Sequence, residues 1–208
     1  MKSEKGIIKL HVLFLTFCAS LLLLCVSCEN SGTQQQNDAD TLDITSLEEL
    51  PEVIEVRGVV GDGSSMNMLE LVTPEYDTLN IEISNSLIAG SIAAGDDIDV
   101  IYSKVDNDLV SSIAINITAL QHLWTQRSSQ GQLQSLEINP DGFAETYNMN
   151  GINYDRWSVK DGQLLLHASQ KAGVEGSGYT DTFDILMLTA DTLVLGASDS
   201  QTRFWRDN

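Results

Sequence analysis

The sequence predicts an all-β chain built as two consecutive barrels, the first of five strands and the second of eight. Three observations carry that prediction. From Pro51 onward apolar residues recur at every second position, the alternating runs are short, and turn-forming residues separate them. The 208 residues, 42% of them hydrophobic, suffice for one ordinary core or two small ones.

The first five strands are placed at 52–60, 66–73, 78–84, 97–104 and 109–120. In the first, Val53, Glu55 and Arg57 alternate with Ile54, Val56 and Gly58, so one face is apolar and the other polar. GDGSS (61–65), PEYD (74–77) and DND (106–108) supply the turns. The one long connection, Asn85–Asp96, carries Leu87, Ile88 and Ile92, and a short helix is expected there. Five strands with a helical insert between the third and fourth resemble an OB-fold, as does GDDIDV (95–100) leading into the fourth strand. OB-folds bind oligonucleotides or sugars on their second and third strands. Here those strands carry Met66, Met68, Leu69, Leu71, Leu79 and Ile81, without the aromatic row and basic residues that hold single-stranded nucleic acid. A structural or protein-binding barrel is therefore expected.

The second set is placed at 123–128, 133–138, 143–148, 152–160, 163–169, 181–188, 192–198 and 201–206. NPDG (139–142), NG (150–151), DG (161–162) and AD (190–191) mark tight turns. Eight strands joined by hairpins can close edge to edge, which leaves no open edge. The glycine-rich QKAGVEGSGYT (170–180) is long enough to act as a lid. Trp124, the stretch INPDGFAETYNMNGINYDRW (138–157), QLLLHA (163–168), ILMLTADTLVL (185–195) and RFWR (203–206) resemble the lipocalin-like lipoproteins of Gram-negative gut bacteria, over about residues 121–207. The resemblance implies that Trp124 on the first strand is covered by Arg206 from the end of the barrel, closing its base. His122 departs from the family pattern, which has glycine there, and the short chain implies a small cavity or none.

Three apolar rows are candidates for the interior: Leu164, Leu166 and Ala168; Phe183, Ile185 and Met187; Leu193, Leu195 and Ala197. Trp157 joins them as an aromatic platform or a core residue. An eight-stranded barrel is wide enough either to fill with side chains or to hold one small ligand. The rows therefore either line a site for a small hydrophobic or glycan ligand or simply pack the barrel.

Catalysis finds no support, and no cofactor or metal is expected. His122 and His167 lack the spacing of a ligand pair, and His167 is expected to face solvent or the barrel mouth. Asp96 with Asp97, and Asp106 with Asp108, lack the glycine and distal glutamate of a calcium loop. Asp141, Asp161 and Asp191 read as turn formers. Asn116-Ile117-Thr118 has the form of a glycosylation sequon and is expected inside a strand. With 11 lysines and arginines against 30 acidic residues, the net charge of -19 argues against nucleic-acid partners and against docking on anionic lipid.

The N-terminus supplies the address. Lys2, Lys5 and Lys9 precede the apolar stretch Leu10–Val26, and Cys25-Val26-Ser27-Cys28 resembles a bacterial lipobox. A permanent membrane helix is the competing reading, since the run approaches the ~20 residues needed to span. Cleavage leaves Cys28 as the new N-terminus, carrying diacylglycerol on its thiol and an acyl group on its amine. Two or more chains anchor stably, at ~0.8 kcal/mol per buried methylene. Removing residues 1–27 takes three lysines and one glutamate, so the mature chain is more acidic still. The expected organisation is a signal peptide over 1–27, a tether over 28–50, an OB-like barrel over 51–120 and a lipocalin-like barrel over 121–208. Asp40-Thr41-Leu42 in the tether resembles an O-glycosylation acceptor. The expectation is an envelope lipoprotein, lipid-anchored in the outer membrane, that binds a small ligand. The alternative is a non-catalytic interaction protein with filled barrels. Its membrane face and protein partners stay open.

Overall fold

The computed structural model describes residues 51–149, 151–169 and 178–206. Cys28, the signal peptide, the tether with Thr41 and most of the expected lid (170–177) lie outside them. Among the described residues no helix is long and apolar enough to cross a membrane.

The first barrel contains β1 (Val53–Val60), β2 (Met68–Val72), β3 (Thr78–Glu82), β4 (Leu87–Ala89), β5 (Asp97–Val105) and β6 (Asp108–Asn116), followed by the single helical turn α1 (Ile117–Leu120). β1 runs antiparallel to β2 and β5, β2 to β3, and β5 to β6. Closure comes from a parallel pairing of β3 with β6 at Ile81–Leu109 and Glu82–Val110. The resulting order, β1-β2-β3-β6-β5, is a closed five-stranded OB-like barrel. Leu69, Leu71, Ile81, Ile98 and Val100 fill it with no exposed surface.

Two expectations are corrected here. Asn85–Asp96 forms no helix; Leu87–Ala89 is a strand, β4, lying parallel to Ile113–Ile115 of β6. β3 pairs with only the first part of β6, so the backbone groups of its later part need a partner, and β4 supplies it. The fifth strand also stops at Asn116 rather than running on to Leu120. Asn116 leaves the strand as an N-cap: its Oδ1 accepts from Ala119 N–H at 2.7 Å, and its Nδ2 donates to Asp96 Oδ2 at 2.8 Å and to Ser91 O. The sequon asparagine is thus buried at a junction, holding three segments together.

The second barrel follows as β7 (Leu123–Arg127), β8 (Leu133–Ile138), β9 (Ala144–Tyr147), β10 (Arg156–Lys160), β11 (Gln163–Ala168), β12 (Tyr179–Leu188), β13 (Thr192–Ala197) and β14 (Ser200–Arg206). All neighbouring pairs are antiparallel, and β14 returns to β7 through Trp205–Thr125 and Arg206–Trp124. β9 and β10 meet at a single bridge, Phe143–Arg156, with Ala144 N–H donating to Asp155 O and Trp157 N–H to Gly142 O. The barrel is up-and-down and nearly closed.

Both barrels belong to one compact unit, Glu48–Asn208. The side-chain alternation of β6 explains the junction. Ala114 points into the first core, whereas Ile115 belongs to the second, joined there by Ile117 and Leu120 of α1. The turn between β10 and β11 docks against the first barrel. Asp161 and Gly162 both have positive φ, 52° and 73°, as a two-residue hairpin turn requires. Asp161 N–H donates to Glu55 Oε1 at 2.6 Å, and a side chain at Gly162 would come within 2.8 Å of Ile113 Cδ1.

Candidate functional site

The second barrel is packed at one end and hollow at the other. Chain direction fixes the ends: β7 starts at the base with Trp124 and rises towards Gln126, while β14 descends from Thr202 to Arg206. At the base Trp124 is wholly buried, and its Nε1–H donates to Leu120 O at 2.8 Å. Arg206 stands opposite it in the ladder, and its Nη1 donates to Ala190 O at 3.3 Å. The ring of His122 meets Trp124 edge-on at 6.0 Å, and burial together with the charge of Arg206 holds its pKa below the usual value.

Above this floor lies a cavity of about 130 Å³. Leu136, Leu166, Phe183, Leu195 and Phe204 make its apolar wall. Met149 and Ile152, within the β9–β10 connection, close its upper part, and Gln126, Thr202 and Tyr154 provide its polar groups. Gln126 Nε2 donates to Gln134 Oε1 at 3.2 Å, and Tyr154 Oη donates to Asp181 Oδ2 at 2.5 Å. Burial and then the Asp181 carboxylate raise the pKa of Tyr154, so the phenol stays protonated. Tyr179 packs edge-on against Tyr154 with ring centroids 6.5 Å apart. The arrangement is an apolar slot with a hydrogen-bonding rim.

The eight candidate residues divide among four settings. Leu166, Phe183 and Leu195 line the cavity. Leu164, Leu193 and Trp157 are buried in the packed core, with Trp157 Nε1–H donating to Asn139 O at 2.8 Å. Ile185 is half-buried against that core. Met187 leaves the expected row: the β12–β13 register shifts between Ile185 and Met187, so Met187 turns outward and Leu188 takes the inward position. Met187 and Leu186 instead face a groove shared with Leu87, Ile88 and Ile113 of the first barrel.

Leu136, Phe204, Thr202 and Gln126 were not among the candidates, though a signal for them existed. With Trp124 pointing inward, alternation sends Gln126 inward too; Phe204 and Thr202 pair across the ladder with Leu193 and Leu195. His167 lies on the outer face of the barrel, its Nδ1 2.8 Å from Thr180 Oγ1 and its Nε2 3.3 Å from Ser158 Oγ. Among the described residues no group of three or more His, Cys, Asp and Glu side chains comes together as metal ligands.

Residues 116–207 match the family model described as lipocalin-like. The second barrel is lipocalin-like. The matched span begins at Asn116, the residue from which the floor of this lipocalin-like barrel is built. A lipocalin-like protein from Bacteroides thetaiotaomicron VPI-5482, known from a crystal structure, is 26% identical over 43% of this chain and 97% of its own, with a TM-score of 0.38. No curated protein matches the chain.

Proposed function

We propose that this protein is a non-enzymatic binding lipoprotein of the cell envelope whose lipocalin-like barrel accepts a small apolar group at the end opposite Trp124. The observation that carries the reading is the cavity of about 130 Å³ walled by leucine and phenylalanine beneath a polar rim. A dry apolar cavity of ~150 Å³ takes up a molecule the size of benzene. Whole drug-sized ligands need ~300 Å³ or more. The expected ligand is therefore a single small ring, or the narrow alkyl end of an amphiphile whose head stays at the rim beside Gln126, Thr202 and Tyr154. Thermal unfolding in the presence of benzene and of 1-hexanol to 1-decanol tests this. Ligand at ~100 times its Kd stabilises the fold by ~2.7 kcal/mol. Thr202→Phe, which projects a ring into the cavity, should abolish the shift while leaving the melting point of the free protein close to that of the parent.

In the same reading Cys28 carries the lipid anchor and the chain is held at the outer membrane. Replacing Cys28 with alanine should move the protein from the membrane pellet to the soluble fraction and end its labelling by palmitate. Retention in the pellet would overturn the anchor without touching the barrel.

A second reading, an interaction lipoprotein with filled barrels, draws on the burial of Leu164, Leu193 and Trp157 in the packed half of the barrel. It predicts no thermal shift with any of these ligands.

A further inference from the structure

The tip of the β2–β3 hairpin holds a residue that its backbone does not favour. Tyr76 has φ 68°, and its side chain is 89% exposed. Tyr76 N–H donates to Thr73 O and Thr73 N–H to Asp77 O, both at 2.9 Å, a tight turn whose left-handed position ordinarily goes to glycine or asparagine. A bulky aromatic there is strained, and a ring standing in water recovers nothing by packing. Strain of this kind points to function when other groups converge on it.

They do converge. A groove of about 470 Å³ adjoins the ring, lined by Arg57, Val59, Thr73, Pro74, Tyr76 and Asp97. Arg57 Nε donates to both oxygens of Asp97, at 2.9 and 3.0 Å, and Nη2 also donates to Oδ2. That leaves the Nη1 protons and spare carboxylate lone pairs free for further bonds, on side chains 47% and 34% exposed. Thr73 is only 8% exposed, and its Oγ1 has no hydrogen-bond partner. A buried hydroxyl left unpaired is costly unless a ligand completes it.

We propose that this groove binds a neutral saccharide. A pyranose offers what these groups lack: an apolar C–H face for the Tyr76 ring, and neighbouring hydroxyls that each both donate and accept. Arg57 donates to one hydroxyl, Asp97 accepts from the next, and Thr73 Oγ1 pairs with a third. Acidic sugars are excluded, because the Arg57 charge is already neutralised by Asp97 and the chain carries a net charge of -19. The site belongs to the first barrel and does not depend on what the lipocalin-like cavity holds.

The test uses the purified full chain against malto-, cello-, xylo-, manno- and chitotetraose, with tetragalacturonic acid as the anionic arm, read by saturation-transfer NMR and calorimetry. Binding of at least one neutral tetraose is expected, with transfer from tyrosine ring protons to the sugar. Tyr76→Gly relieves the positive-φ strain, so it should melt at or above the parent temperature while its affinity falls about tenfold or more. Tyr76→Phe keeps the platform and should bind within about threefold of the parent. The proposal is overturned if no neutral tetraose binds, if Tyr76→Gly binds as well as the parent, or if only the acidic sugar binds.

Discussion

The base and the mouth of the lipocalin-like barrel are built from the same strands, with the same inward alternation, yet one is solid and the other hollow. On β11, Leu164 and Leu166 sit two residues apart on one face; the first is sealed in the packed core and the second borders the cavity. The difference comes from outside the barrel. Ile115, Ile117 and Leu120, from β6 and α1, fill the base from below, and Trp124 bonds to the last of them. No described element does this at the mouth. A barrel of eight strands stands on the margin between filled and hollow, and here the neighbouring module decides the matter at one end only.

Perturbations at the two ends should therefore differ in size. The largest effect is expected for Trp124→Ala, which removes a fully buried ring and the hydrogen bond from its Nε1–H to Leu120 O. Urea titration should show a loss of about 3–5 kcal/mol, with no change specific to the mouth. Next come the paired truncations on β11. Leu164→Ala opens a new hole in the solid half and should cost about 4 kcal/mol. Leu166→Ala enlarges an existing one and should cost about 2 kcal/mol. Equal losses would mean that the two halves are packed alike. Only the Leu166 variant should extend the thermal shift to bulkier ligands, such as naphthalene.

Gly162→Ala probes the docking of the base on the first barrel. Its φ of 73° and the 2.8 Å approach to Ile113 should together cost about 1–3 kcal/mol in the same titration, while ligand-induced shifts stay unchanged. The smallest effect concerns pH. Asp99, on the face of β5 towards that docking turn, is 7% exposed. Burial, and then the nearby Glu55 carboxylate, push its pKa from 3.8 up to about 7, against a weaker opposing pull from Arg57. Between these values the folded chain holds a proton that the unfolded chain has lost. Its contribution to stability is therefore full below about pH 4, falls as pH rises, and is gone above about pH 7. Denaturation midpoints of Asp99→Asn should fall less steeply across that window than those of the parent. Parallel slopes would remove Asp99 from the account.

Strand positions in the second barrel were largely legible, because their turns are local chemistry: Asp161-Gly162 adopts the paired positive φ that its sequence announces. The all-β class and the two-barrel order followed from alternation in short runs and from the turn residues that divide them. What sequence could not show was set by partners. Leu87–Ala89 is a strand because β6 has an edge to offer, a fact with no trace in the segment itself. Met187 faces outward because β12 slips against β13, and a slip belongs to a pair of strands rather than to either one. Alternation identified Leu164, Leu166, Phe183, Leu193 and Leu195 as one interior set but could not tell wall from filling. That distinction depends on Ile115 and Leu120, which precede the barrel in the chain.

The double allegiance of β6, with Ala114 on one side and Ile115 on the other, bears on how such a chain could be inherited. A genome that copied only the later barrel into another gene would carry off a cup without its bottom, its cut edge a ring of bare leucine and tryptophan inviting aggregation. The seam that strand order suggests runs straight through the packed floor that Ile115, Ile117 and Leu120 complete.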